Sequence, residues 1–229
     1  MHHRVLGMEK KISTTQPATA TINQKKGVFR HFKLFLFLNL LGYAITFSTF
    51  YLGYHYGEFI PVPTSPPGPS GNTTTAIDMS IRLAFALRCC IPLALCLFVA
   101  VALVGNKRAL TDAVDPLSGN EHIVQIDKNF LANTLEQCVI GLFFVLAVAS
   151  YAETPQELRI LPIFAVVFTV ARILFRVGYG IHYLLRAFGM AVNICANYVI
   201  IGVALYSLAT KGLHMHLYTT AIPQSRIEL

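Results

Sequence analysis

Charged side chains are scarce in this sequence. They make up 13% of its 229 residues, and hydrophobic residues make up 55%, whereas soluble domains usually carry about 25% charged residues. The apolar excess is concentrated in five windows, each close to the roughly 20 residues that a helix needs to cross a bilayer. This composition excludes an ordinary soluble domain and predicts an all-α integral membrane bundle of five transmembrane helices. The windows are 32–54, 81–104, 130–151, 158–179 and 188–208.

Cysteine and histidine are also too few, or wrongly spaced, for a metal centre. The five cysteines follow neither the spacing of a zinc site nor that of a secreted disulfide framework. All of them lie inside the apolar windows, which is typical of small buried residues. His214 and His216 alternate near the C-terminus, but two such histidines do not define a site. The sequence therefore predicts no metal.

Lys and Arg are absent from residues 55–80, which connect the first two apolar windows. Residues 1–33, before the first window, hold seven of them, and residues 105–129, between the second and third windows, hold three. Basic residues next to membrane helices stay on the cytoplasmic side. This distribution predicts a cytoplasmic N-terminus and a lumenal or extracellular C-terminus, in the secretory or endolysosomal system or the plasma membrane. The net charge of +7 is therefore assigned to topology and contact with anionic membrane lipids, with no nucleic acid as partner.

Charge and proline content divide the chain into five parts. The first apolar window differs from the later ones because its interior has no Asp, Glu or Arg. The connection between the first two windows is rich in proline and contains Asn72-Thr73-Thr74, an N-glycosylation acceptor pattern. The predicted parts are a disordered basic cytoplasmic segment (1–29), an extra N-terminal transmembrane helix (30–55), a proline-rich lumenal linker (56–80), a four-helix domain (81–208) and a C-terminal tail (209–229).

Several ionisable side chains lie inside the predicted spans, where they are costly and usually mark function. These residues are Arg88, Glu136, Arg172 and Arg176. Two polar stripes repeat at i, i+4, i+7, namely Asn129-Asn133-Glu136 on the third span and Arg172-Arg176-Tyr179 on the fourth. Glu136 and Arg172 lie at matching depths, roughly 10 Å from the cytoplasmic face. We therefore expect Glu136 and Arg172 to be in direct contact.

A pocket lined by these stripes would suit a small zwitterion, with arginines on its carboxylates and Glu136 on its amine. The alternative is that Glu136 and Arg172 simply pair and join two helices. Basic residues at the ends of neighbouring spans lie on the same side. The residues expected to converge on a cavity open to the cytoplasm are Lys107, Arg108, Asn133, Glu136, Arg172, Arg176, Tyr179 and Arg186.

Residues 129–137, Asn-Phe-Leu-Ala-Asn-Thr-Leu-Glu-Gln, resemble the Arg-x-x-x-Asn-x-x-Glu signature of the MAPEG superfamily, the membrane-associated proteins in eicosanoid and glutathione metabolism. Arg172, Phe175, Tyr179 and Arg186 follow the spacing of a second pattern in that family, and the resemblance covers about residues 81–208. It implies a homotrimer that binds glutathione between neighbouring subunits.

On this resemblance, Asn133, Glu136, Tyr179 and Arg186 match glutathione-contacting positions. Arg186 matches the catalytic arginine that lowers the thiol pKa, which makes sulfur a better nucleophile. Asn129 stands where the family has an arginine, and Phe175 stands where it has Tyr or His. Since both replacements remove hydrogen-bond donors, the resemblance implies weak glutathione binding.

Residues 82–89, Arg-Leu-Ala-Phe-Ala-Leu-Arg-Cys, and residues 158–162, Leu-Arg-Ile-Leu-Pro, are similar to the five-helix mattrin branch of the superfamily. This similarity implies a regulator of epithelial membrane and receptor biology in the Wnt pathway, with a membrane receptor as partner. The alternative is an active glutathione transferase or peroxidase that acts on lipophilic electrophiles.

Overall fold

The structure, a computed structural model, describes residues 18–64, 77–115, 117, 119–181 and 183–213, and within them the chain is helical without β-strands. Five stretches are long and apolar enough to cross a membrane. The predicted all-α bundle with five spans is therefore confirmed. The helices are α1 (Ala18–Tyr56), α2 (Met79–Cys89), α3 (Ile91–Ala109), α4 (Gln125–Tyr151), α5 (Pro155–Leu158), α6 (Ile160–Ile181) and α7 (Tyr183–Lys211), with a 3-10 turn at Asn120–Val124.

Two helix boundaries differ from the sequence-based expectation. α1 begins at Ala18, earlier than the first apolar window, so residues 18–29 belong to this helix. α6 continues to Ile181, and α7 begins at Tyr183, five residues before the last apolar window. Arg186 consequently lies in the first turn of α7. Asn72, His214 and His216 lie outside the described residues, and so do residues 1–17.

The second span contains a break that hydropathy did not reveal. α2 ends at Cys89 and α3 begins at Ile91, although the backbone N–H of Cys90 still donates to the carbonyl of Ala86 at 3.0 Å. Pro92 follows directly, and its ring nitrogen cannot donate to the carbonyl four residues earlier. The proline thus separates one span into two helical segments.

α6 and α7 form the centre of the bundle. Half of the apolar window of each helix is buried, compared with 17% of the window of α1. Phe164 and Phe168 on α6 are fully buried and their ring centroids lie 5.8 Å apart. The extra helix α1 packs mainly against α7 and also contacts α6. Its outward face keeps large apolar side chains exposed, as expected for a surface in contact with lipid.

Glycine allows the backbones of α6 and α7 to approach closely. A Cβ atom on Gly178 would lie 2.2 Å from the backbone nitrogen of Arg186, and one on Gly189 would lie 2.5 Å from the backbone nitrogen of Phe175. Membrane helices commonly use small residues in this way. The two glycines therefore fix the position of Arg186 against the last turns of α6.

A buried arginine ties α2 to the C-terminal end of α4. Arg82 is only 1% exposed, and its Nη1 donates to the carbonyl oxygens of Ala152 at 2.9 Å and Ser150 at 3.2 Å. The last carbonyls of a helix have no partners within it and carry partial negative charge, so a cation is favourable there. Arg82 therefore serves as a cap for α4.

Candidate functional site

The bundle end at which α3 ends and α4 begins, here called the α3–α4 end, carries most of the predicted site residues. Asp127 lies in the first turn of α4 and is 2% exposed. Its Oδ2 lies 3.0 Å from Nζ of Lys107, and its Oδ1 accepts a 2.8 Å hydrogen bond from Nη2 of Arg176. One buried carboxylate thus joins α3, α4 and α6 and engages two predicted ligand-binding cations.

A second carboxylate engages the next pair of cations. Oε1 of Glu121, in the 3-10 turn, lies 2.6 Å from Nη2 of Arg108, and its Oε2 lies 2.6 Å from Nζ of Lys128. Lys107, Arg108 and Arg176 therefore all have internal partners. Each carboxylate contacts two cations, so each of these two clusters retains one positive charge.

A buried polar network lies next to these clusters. Arg172 on α6 is 1% exposed and donates from Nη1 to Oδ1 of Asn133 at 2.7 Å and from Nε to Oδ1 of Asn193 at 3.1 Å. Asn193 and Asn197 on α7 in turn donate to Oε1 of Gln137 at 3.0 and 2.7 Å. The network connects α4, α6 and α7, and only Asn133 and Arg172 were predicted from the sequence.

The predicted ion pair between Glu136 and Arg172 is wrong. Glu136 is exposed, and it forms none of the ion pairs found among the described residues. Arg172 binds the neighbouring amide of Asn133 instead. Positions 133 and 136 differ by about 60° around a helix of 3.6 residues per turn, which leaves Asn133 partly buried beside Arg172 and Glu136 exposed on the flank of the same face.

Tyr179 and Arg186 are brought together. Cζ of Arg186 lies 4.9 Å from the centroid of the Tyr179 ring, in a cation–π contact, and the arginine is exposed. Phe175 is 5% exposed and packs against Tyr179 and Phe130, with ring centroids 5.2 and 5.9 Å away. Phe175 is thus a core residue and supplies no hydrogen-bond donor to a site.

A cavity of about 260 Å³ adjoins the network, and it is lined by Arg172 and Arg176 together with apolar residues of α3, α4 and α6. Nη2 of Arg172 and Nε of Arg176 are buried and have no hydrogen-bond partner. Buried donors without partners are energetically costly. Because both nitrogens are buried, the cavity surface that is open to a ligand is apolar.

Sequence reasoning missed several residues of this region, namely Glu121, Asp127, Gln137, Asn193 and Asn197. The two asparagines were detectable, because they are spaced i, i+4 inside an apolar window and so lie on one helix face. Asp127 gives no such signal, because it precedes the apolar window that predicts the third span. α4 in fact begins at Gln125.

The structure combines five helices that can span a membrane with a buried polar network and with charged clusters at one end. These features define an integral membrane protein with a polar site inside the bundle. The sequence model of the MAPEG family matches residues 86–206, more than half of the chain, and the protein therefore belongs to the MAPEG family. Membership indicates a membrane function related to glutathione or eicosanoid chemistry. The match leaves α1 outside. No curated protein and no solved structure matches the chain significantly.

Proposed function

We propose that this protein is a homotrimeric regulatory membrane protein that binds glutathione weakly between its subunits. The observation that carries the proposal is Glu136, which is exposed on a membrane-spanning helix without an ion pair among the described residues. It lies about 9 Å along α4 from Phe130, where the apolar window of this span begins. A carboxylate at such a depth is costly in lipid, roughly 2.5–3.5 kcal/mol at the centre of a helix. A neighbouring subunit and a ligand amine would both relieve that cost.

The groups that would hold glutathione all belong to the α3–α4 end. Glu136 would accept from the ligand amine, and Arg186 with the two positively charged clusters around Asp127 and Glu121 would attract its carboxylates. Glutathione itself supplies the sulfur. Binding is expected to be weak, because the cations of both clusters already have carboxylate partners and because Asn129 offers no charge.

The proposed orientation places the α3–α4 end in the cytoplasm, where reduced glutathione is abundant, and the C-terminus in the lumen or outside the cell. The regulatory role follows the similarity to the mattrin branch and would act on a membrane receptor of the Wnt pathway. α1 supports such a role, since it lies outside the family match and exposes Phe37 and Phe47 by 59% and 57%. That face could pack against a transmembrane partner.

The second candidate is an active glutathione transferase or peroxidase that acts on lipophilic electrophiles. The contact between Arg186 and Tyr179 favours it, because an exposed guanidinium held in place by an aromatic ring can stabilise a thiolate. In a transfer reaction, the thiol proton would pass to water, the sulfur would form a bond to the electrophilic carbon, and the bond from that carbon to its leaving group would break, so that a halide, for example, departs as an anion. Sustained turnover distinguishes this candidate from the first.

Calorimetry of the purified protein with reduced glutathione tests the proposal, followed by conjugation of a chromogenic aryl halide. We expect weak saturable binding, loss of binding in Glu136→Gln, and no conjugation above the rate of glutathione alone. Glu58→Gln is the matched control, because Glu58 is also exposed but lies beyond the far end of α1. Absence of binding would refute the proposal, and sustained conjugation would favour the transferase.

The homotrimer has its own test, which is the mass of the protein particle in detergent measured by light scattering. A mass of three chains is expected. A stable monomer or dimer would remove the subunit interface on which the proposed position of glutathione depends.

A further inference from the structure

Arg88 on α2 lies inside the second span, roughly 30 Å along that span from Ala109, where α3 ends. It is exposed and forms none of the ion pairs found among the described residues. Residues 65–76, which precede α2 in the sequence and lie outside the described residues, contain no Asp or Glu. A lone arginine on a membrane-spanning helix is costly. An anion from outside the chain would offset this cost.

A groove of about 470 Å³ adjoins Arg88. One wall is formed by Ile81, Ala84 and Phe85 of α2, which together with Arg88 repeat at i, i+3, i+4, i+7 and so share one helix face. The other wall is formed by residues 61–63, the Pro-Val-Pro segment that follows α1. Proline has no N–H group, so two of the three residues of this wall expose no backbone donor. Among the described residues, Arg88 is the one charged side chain that lines the groove.

The side chain of Arg88 leans towards one membrane surface. Helix side chains tilt towards the N-terminus of their helix, so Arg88 extends over Ala84 and away from the break at Cys90. Its Cα lies about 10 Å along α2 from Ile81, where the apolar window begins. The head-group layer adds about 5–8 Å on each side of the hydrocarbon core. The guanidinium consequently lies deeper than the phosphates of the surrounding phospholipids.

The two carboxylates that flank the groove in the sequence are not paired with Arg88. Asp78 accepts a hydrogen bond from the hydroxyl of Ser80 and is attracted to Arg82, and it lies about 15 Å along the chain of α2 from Arg88. Glu58 is exposed and does not line the groove. The groove therefore keeps the positive charge of Arg88, which favours an anionic head group over a neutral or a cationic one.

We propose that this groove binds a single-chain lipid whose head group is a carboxylate. The guanidinium of Arg88 would hold both carboxylate oxygens through two parallel hydrogen bonds. A carboxylate bonded directly to an acyl chain can reach this depth, whereas the phosphate of a phospholipid stays in the head-group layer. At about 30 Å³ for each water-sized unit, the groove holds about 16 non-hydrogen atoms. This is enough for the head and the beginning of the chain, whose remainder would follow the exposed Ile91 and Leu95 of α3 into the bilayer.

The groove is separate from the candidate glutathione site. None of its lining residues belongs to the α3–α4 end, and all of them except Arg88 precede residue 86, where the family match begins. A loss of glutathione binding would therefore leave the lipid site intact.

The test uses the full-length protein in phosphatidylcholine nanodiscs at alkaline pH, where the probe carboxylate is ionised. Three photoreactive probes share one 16-carbon chain and differ only in their head, which is a carboxylate, a hydroxyl or a phosphate monoester. The carboxylate probe should label α2 or residues 61–63 at least about tenfold more than the hydroxyl probe, as expected for a charge-assisted hydrogen bond. Equal labelling by all three probes, or no labelling of this region, would overturn the proposal. Stronger labelling by the phosphate probe would refute the carboxylate head and the depth assigned to it.

Arg88→Gln tests the charge. Leu87→Gln is the matched control, because Leu87 is the exposed neighbour at the same depth and does not line the groove. Labelling by the carboxylate probe should fall to the level of the hydroxyl probe in Arg88→Gln and should stay unchanged in Leu87→Gln. Arg88→Gln removes a charge from the span and breaks no ion pair among the described residues, so this variant should fold. A preference for the carboxylate probe that survives in Arg88→Gln would refute the role of the guanidinium.

Ala84→Phe tests the groove itself, with Leu87→Phe as its control. Ala84 is exposed and lines the groove, so the larger side chain fills the groove without entering the core. Labelling by the carboxylate probe should be lost in Ala84→Phe and kept in Leu87→Phe. Labelling that persists in Ala84→Phe would place the lipid elsewhere and refute the assignment.

Discussion

Arg172 donates a 2.7 Å hydrogen bond from Nη1 to Oδ1 of Asn133, and this bond joins α6 to α4 without a carboxylate partner. An amide can orient a guanidinium but cannot neutralise its charge. The buried arginine therefore depends on every acceptor around it, including Asn193 on α7. Glu136 stays outside this network and remains available on the surface of α4.

Asn193→Leu should lower the free energy of unfolding by about 1.5–3 kcal/mol, because Nε of Arg172 loses its acceptor and hydrogen bonds to charged groups are worth that much. The measurement is denaturant unfolding in detergent, followed by circular dichroism. Asn39→Leu is the control, since Asn39 bonds only to the carbonyl of Phe35 in its own helix. Its effect should stay within about 0.5 kcal/mol. Equal losses in both variants would show that the buried network adds no stability.

The two carboxylates of the α3–α4 end should differ in their contribution to stability. Asp127→Asn should cost about 1.5–3 kcal/mol, because the Asp127 side chain is only 3% exposed and binds Lys107 and Arg176. Glu121→Gln should cost clearly less, because the ion pairs of Glu121 with Arg108 and Lys128 lie near the surface, where water and salt screen them. Thermal unfolding of both variants, at low and at high salt, measures the difference. A larger loss in Glu121→Gln would contradict this ranking.

The sequence was sufficient to predict the five spans, because length and hydropathy almost determine whether a helix can cross a bilayer. It was also sufficient to select Asn133, Arg172 and Tyr179 as polar residues of the bundle. The rotation of each helix about its axis could not be predicted. That rotation decides that Asn133, and not Glu136, binds Arg172, and it depends on the packing of all neighbouring helices.

Helix ends were the other part that sequence reasoning could not supply. Hydropathy detects the apolar window but not the polar turns that extend it. Asp127 therefore appeared to lie in a loop, although it occupies the first turn of α4. A carboxylate is favoured there by the partial positive charge of the helix N-terminus. The close contact of Gly178 with Arg186 was equally hidden, because it depends on how tightly α6 turns into α7.

Gly178→Ala should disturb the contact between α6 and α7. The new Cβ would lie 2.2 Å from the backbone nitrogen of Arg186, so the helices must separate, at a cost of typically 1–3 kcal/mol. Arg186 would then move away from Tyr179, and glutathione binding should weaken as well. Unfolding and calorimetry report the two effects. Gly180→Ala is the matched control, because nothing lies within 4 Å of its Cβ position, and it should leave both measurements unchanged. If both variants behaved alike, close packing would not be the cause.

Asn129→Arg should tighten glutathione binding. Asn129 is exposed, and its Oδ1 accepts only a 2.8 Å hydrogen bond from Gln125 of the same helix, so a longer side chain can be accommodated. The added guanidinium would restore a charge-assisted bond to a ligand carboxylate, which is worth about 1.5–3 kcal/mol, or roughly ten- to a hundredfold in Kd. Asn129→Gln, which lengthens the side chain without adding charge, should bind as the wild type does. Calorimetry that finds no gain for the arginine variant, with its unfolding curve unchanged, would show that glutathione does not approach this turn of α4.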